Sequence, residues 1–138
     1  MAKLLLVDDN PVNYDMLSRR LKKAGHKVVH AANGVQGIGV ANRENPDAIL
    51  MDLSMPVMNG WEASQQLKSS PQTRHIPIIA VTSHAMQGSE EKALTAGCDA
   101  FITKPIDFAL LLATIDKVLN LKKSEPDGTR AASVGPLA

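Results

Sequence analysis

The sequence predicts an α/β domain, with helices packed on a parallel sheet. Two observations carry this. Short apolar runs alternate with longer amphipathic stretches about five times, the pattern of successive βα units. Polar residues also follow four of the runs: Asp8-Asp9 after Leu4–Val7, Asp52 after Ala48–Met51, Thr82 after Ile78–Val81, and Lys104-Pro105 after Ala100–Thr103. If the runs are parallel strands, these residues meet at the carboxyl edge of one sheet, where open α/β sheets place their ligands. Carboxylates, a hydroxyl and an ammonium together suit a divalent cation and a phosphoryl group.

The elements are expected in this order. Strand β1 covers about Lys3–Val7. Asn10-Pro11 reads as an N-cap followed by proline at the first helical position. Helix α1 then presents Tyr14, Leu17, Leu21 and Ala24 on one face and stops at Gly25. Strand β2 covers about Lys27–Ala31, and Asn33 caps α2, which turns Val35, Ile38 and Ala41 inward. Gly34, Gly37 and Gly39 weaken α2 by about 0.5–1 kcal/mol for each interior glycine. Pro46 separates α2 from β3, Ala48–Met51. The segment Ser54–Gly60 is rich in turn residues and leads into α3, about Gly60–Lys68. Ser69-Ser70-Pro71 ends α3, and Pro77 precedes β4, Ile78–Val81. Helix α4 is expected over about Ser89–Ala96, with Glu90 and Glu91 suiting its N-terminus and Gly97 stopping it. Strand β5 is Ala100–Thr103. Helix α5, about Asp107–Leu121, has the clearest period: Phe108, Leu111, Leu112, Ile115, Val118 and Leu119. Residues 1–121 therefore read as one domain, and 122–138, without a usable apolar face, as a flexible tail.

Bulk properties narrow the function. A chain of 138 residues with 44% hydrophobic and 21% charged residues is long enough for one domain with a real core. A formal net charge of +1 and 3% aromatics argue against a nucleic-acid surface or an anionic membrane. The single Cys98 cannot form an internal disulfide, no metal-type Cys/His spacing is present, and no run is long enough to span a bilayer. A reducing cytoplasm is the expected location.

Four strings in order, LLLVDDN at Leu4–Asn10, MDLSMPVMNG at Met51–Gly60, AVTSHA at Ala80–Ala85 and GCDAFITKP at Gly97–Pro105, resemble the receiver domain of two-component response regulators, over about residues 3–121. The resemblance implies a CheY-like, flavodoxin-like (βα)5 three-layer sandwich with a five-stranded parallel sheet of order 2-1-3-4-5. It implies Asp52 as the phosphoacceptor, attacking a phosphoryl group carried on a histidine of a donor protein. Asp9, Asp52 and the backbone carbonyl of Ser54 would bind Mg2+ (or Mn2+) directly, with Asp8 acting mostly through water. Lys104 and Thr82 would engage phosphoryl oxygens, and the Lys104–Pro105 bond would be cis. Thr82 and Phe101 would form the switch, while Ser54 and His84 would tune the lifetime of the acyl phosphate. The expected partners are a sensor histidine kinase or histidine phosphotransfer protein as donor and a downstream protein on the α4–β5–α5 face. The protein would be a monomer, with a phosphorylation-dependent dimer as a further state. It would be no conventional enzyme, catalysing only its own phosphotransfer and dephosphorylation.

Plainer roles stand beside these. An aspartate after a strand commonly caps a turn, Asp8 and Asp9 suit a helix N-terminus, and Thr82 and Phe101 suit strand packing. Cys98 reads as a small buried hydrophobe, and His26, His30 and His75 show no metal pattern. Competing functions fare worse. A haloacid-dehalogenase-type phosphatase needs a second aspartate two residues after the nucleophile, and Asp8 is followed by Asp9 and then Asn10. A flavodoxin-type FMN site needs a Ser/Thr/Gly-rich phosphate loop after the first strand, where the acidic Asp8-Asp9-Asn10-Pro11 would repel the phosphate. A pseudo-receiver, or a receiver segment of a hybrid histidine kinase, would share the same strings.

Overall fold

A computed structural model describes residues 2–52, 60–82, 97–103 and 106–123. Five strands, β1 (Lys3–Val7), β2 (Lys27–Ala31), β3 (Ala48–Asp52), β4 (Ile78–Thr82) and β5 (Ala100–Thr103), form one sheet of order β2-β1-β3-β4-β5. Every pairing is parallel. Helices α1 (Pro11–Lys23), α2 (Gly34–Glu44), α3 (Gly60–Ser69) and α5 (Phe108–Lys123) accompany it. Expected helix α4, over Ser89–Ala96, and the expected tail beyond Lys123 lie outside the described residues.

The strands alternate between two cores, as the two-residue period of a pleated strand requires. Leu5, Val7, Ile49, Met51, Ile78 and Ala80 face one side with Val40 and Ala41 of α2 and Ala63 and Leu67 of α3. Leu4, Leu6, Leu50, Ile79 and Ile102 face the other, with Leu17 and Leu21 of α1 and Leu111, Ile115 and Val118 of α5. These are the three layers. Because both faces are covered, the central strands are apolar throughout, and β3 is buried at all five positions.

The helix ends follow from local chemistry. Asn10 Oδ1 accepts from Val12 N at 2.9 Å and Asn13 N at 3.2 Å, with Pro11 at the first helical position. Asn33 Oδ1 accepts from Gln36 N at 2.9 Å, and Gln36 Oε1 returns to Ala32 N at 3.0 Å. Gly25 after α1 has φ 101°, and Asn45 closes α2 in the left-handed region with φ 46°.

Two expectations about helix faces need correction. Ala24 is the exposed C-cap of α1, and Ser18 takes the buried place on that helix. Val35 is 55% exposed, and α2 instead buries Gly34, Gly37, Val40 and Ala41. A stripe containing two glycines directs α2 to the sheet, because a helix approaches closest where side chains are smallest. Helix α5 starts after Asp107, whose Oδ1 accepts from Leu110 N at 3.2 Å, and runs two residues past its expected end.

Candidate functional site

The strand order creates the site. β1 lies between β2 and β3; its following helix α1 packs on one face, whereas α3, which follows β3, packs on the other. The connections leaving the carboxyl ends of β1 and β3 therefore diverge and leave a crevice there. Register brings the predicted residues to it. Val7 pairs with Met51, so Asp8 and Asp52 are the next residues of neighbouring strands. Asp52 pairs with Val81, which puts Thr82 one step further along β4. Thr82 in turn pairs with Thr103, the last residue of β5.

One carboxylate oxygen from each of Asp8, Asp9 and Asp52 lies within 4.8 Å of the other two. Asp8 and Asp52 are 3% and 6% exposed, and Asp9 is exposed. Asp8 is held at several atoms. Its Oδ1 accepts from Asn10 N at 2.8 Å, so the residue that caps α1 also fixes this carboxylate. Its backbone N donates to Ala31 O at 3.1 Å on β2. Three oxygen donors of this kind fit a hard divalent cation that completes its shell with water or phosphoryl oxygens.

The structure thus gathers Asp8, Asp9 and Asp52, with the Thr82 backbone beside them at the same sheet edge. Ser54, His84, Lys104 and Pro105 lie outside the described residues, as does the Lys104–Pro105 bond. Phe101 is half-buried and packs against the core on the α2–α3 side.

Other residues took roles that sequence reasoning missed. His30 Nε2 lies 3.0 Å from the carbonyl oxygen of Asp8, and its ring stacks on Tyr14. The available signal was register: His30 pairs with Leu6 two residues before Asp8. Lys68 Nζ lies 3.0 Å from Asp99 Oδ2 and donates to Ile76 O at 2.8 Å, tying α3 to the segments around β4 and β5. Cys98 is buried, with Sγ 3.4 Å from Ser64 Oγ. Burial pushes its thiol pKa up, and Asp99 adds to this; the Ser64 hydrogen bond and the Lys68 charge oppose it.

The response regulator receiver domain model matches residues 4–116. The chain belongs to the response regulator receiver family. This receiver is 40% identical over 119 residues to protein PilH of Pseudomonas aeruginosa, covering 86% of this chain and 98% of PilH. It is 36% identical over 116 residues to the polar-differentiation response regulator DivK of Brucella anthropi, covering 84% and 94% of the two chains. Among solved structures it resembles the receiver domain of the sensor histidine kinase PA1611 of Pseudomonas aeruginosa, with 36% identity, a TM-score of 0.80, and 86% and 98% coverage. That domain holds a magnesium ion in its active-site cleft. The chemotaxis protein CheY4 of Vibrio cholerae gives a TM-score of 0.80 at 31% identity, with the same coverage. The protein is accordingly a receiver of two-component signalling. Among the described residues no helix is long and apolar enough to cross a membrane.

Proposed function

We propose that this receiver is phosphorylated on Asp52 by a phosphohistidine donor and that the acyl phosphate switches a protein-binding face. The observation carrying the proposal is the close cluster of Asp8, Asp9 and Asp52 at the divergence of β1 and β3. Asp8, Asp9 and Asp52, with the Ser54 carbonyl, would hold Mg2+. When bound, that ion neutralises carboxylate charge and stabilises the charge of the phosphoryl oxygens.

In the proposed step a carboxylate oxygen of Asp52 attacks phosphorus. The P–N bond to the donor imidazole breaks as the new P–O bond forms, and the imidazole leaves with the electron pair and takes up a proton. Asp52 ends β3, a strand buried at every position, so its backbone is rigid and its carboxylate is presented at one fixed place. Thr82 donates a hydrogen bond to one phosphoryl oxygen and Lys104 places its ammonium at another. Water later cleaves the acyl phosphate, with Ser54 and His84 governing its access.

The phosphate biases a two-state equilibrium, because Thr82 and Lys104 gain contacts only in the phosphorylated state. Phe101, the register partner of Ala80 two residues before Thr82, would follow Thr82 by changing rotamer. The output is then read on the surface of β5 and α5 with the segment 89–96 by a downstream protein. The donor is a sensor histidine kinase or a histidine phosphotransfer protein, and residues 1–121 act as the receiver unit with 122–138 as its tail. A cytoplasmic location follows from such a donor.

Incubation with acetyl phosphate and Mg2+ tests the assignment. Intact-mass measurement should show one added phosphoryl group in the wild type, lost on adding EDTA beforehand, and none in Asp52→Asn. Undiminished labelling of Asp52→Asn would overturn the assignment, and an unlabelled wild type would make the chain a pseudo-receiver.

A further inference from the structure

His30 is exposed on the edge strand β2, where a polar side chain can be satisfied by water, yet its ring is held at one face and at one ring nitrogen. It stacks on Tyr14 with centroids 3.8 Å apart and planes at 27°. Its Nε2 lies 3.0 Å from the carbonyl oxygen of Asp8. A carbonyl only accepts, so Nε2 carries the proton and donates.

That carbonyl belongs to the planar peptide joining Asp8 to Asp9. Its neighbour in β2, Ala31, accepts from Asp8 N at 3.1 Å. The two peptide planes flanking the Cα of Asp8 are therefore both tied to consecutive residues of β2. Tyr14 sits in the first turn of α1, where its N donates to Asn10 O at 3.0 Å, so the surface on which the imidazole rests is itself anchored.

We infer that His30 is a positioning residue for the acidic pair: its hydrogen bond fixes the Asp8–Asp9 peptide and so the direction in which the exposed Asp9 carboxylate leaves the backbone toward Asp8 and Asp52. Tyr14 holds the imidazole in place. The inference rests on the reading of these carboxylates as the Mg2+ site.

Calorimetric titration with Mg2+, alongside thermal melting of each protein without Mg2+, tests it. His30→Phe keeps a ring to stack on Tyr14 but has no donor. His30→Gln offers an amide N–H at the reach of Nε2. Tyr14→Ala leaves the donor and frees the ring. His30→Phe should bind Mg2+ about three- to tenfold more weakly, the equilibrium worth of one net hydrogen bond. His30→Gln should stay within about twofold of wild type, and Tyr14→Ala should fall between. Wild-type affinity in His30→Phe, or equal weakening in the Gln and Phe variants, would overturn the inference while leaving the metal site intact. If His30→Phe does not fold, Tyr14→Ala decides, and unchanged affinity there overturns the inference. A wild type that binds no Mg2+ removes the metal reading and the inference with it.

Discussion

Cys98 shows how a residue with no part in the site still shapes the pH response of the domain. It is 5% exposed and packs in the core beneath α2 and α3, beside Ser64 and near the Lys68–Asp99 pair. Burial disfavours the thiolate, so the folded thiol titrates above the unfolded one. Above the ordinary thiol value of about 8.5 the unfolded chain releases this proton first, and the folded chain then binds more protons than the unfolded. The contribution to stability is therefore complete below that value and is lost as pH rises from it toward the raised folded value. Cys98→Ala should be less stable than wild type at pH 7, because it removes buried sulfur. The gap should narrow as pH rises toward 10, since only the wild type carries the buried thiol. Urea unfolding of both proteins across that range checks it, and a gap independent of pH would refute the linkage.

At the scale of elements, α2 separates two glycines that a propensity scale treats alike. A Cβ built on Gly37 would meet Val7 Cγ2 at 3.1 Å, closer than ordinary contact, because α2 presses against the end of β1 there. A Cβ on the exposed Gly39 would meet nothing within 4 Å. Gly39→Ala should therefore stabilise the domain by about 0.5–1 kcal/mol, through lower entropy of the unfolded chain. Gly37→Ala should lose that gain to displacement of Val7, the residue immediately before Asp8. Denaturant midpoints at unchanged slope measure both. A Gly37→Ala variant as stable as Gly39→Ala would mean that the helix is not in close contact with the strand. The same contact explains why the face of α2 was misjudged from sequence. Counting apolar residues selects Val35, whereas the packed stripe is defined by Gly34 and Gly37, whose merit is the absence of a side chain.

For the whole molecule, what sequence pattern reveals is what repeats: strand runs, caps at Asn10 and Asn33, and the stop at Gly25 are local chemistry and stand where the residues put them. Asp8, Asp9 and Asp52 were legible because each follows an apolar run. The bond between His30 and the Asp8 carbonyl was not, since it depends on which strand neighbours β1 and in what register. That long-range dependence also sets the last expectation. The three carboxylates come from the ends of β1 and β3, which are 44 residues apart at Asp8 and Asp52 and meet only in the folded sheet. A cation held by all three binds the native state and has no comparable site in the unfolded chain, so it stabilises by mass action. At a free concentration one hundred times its dissociation constant the gain is about 2.7 kcal/mol. Mg2+ should thus raise the urea midpoint of the wild type and leave that of Asp9→Asn nearly unmoved, while monovalent salt at equal ionic strength moves both alike. Equal shifts in the two proteins with Mg2+ would mean that the ion acts by general screening, and that the acidic cluster is a feature of the loop rather than a seat for a cation.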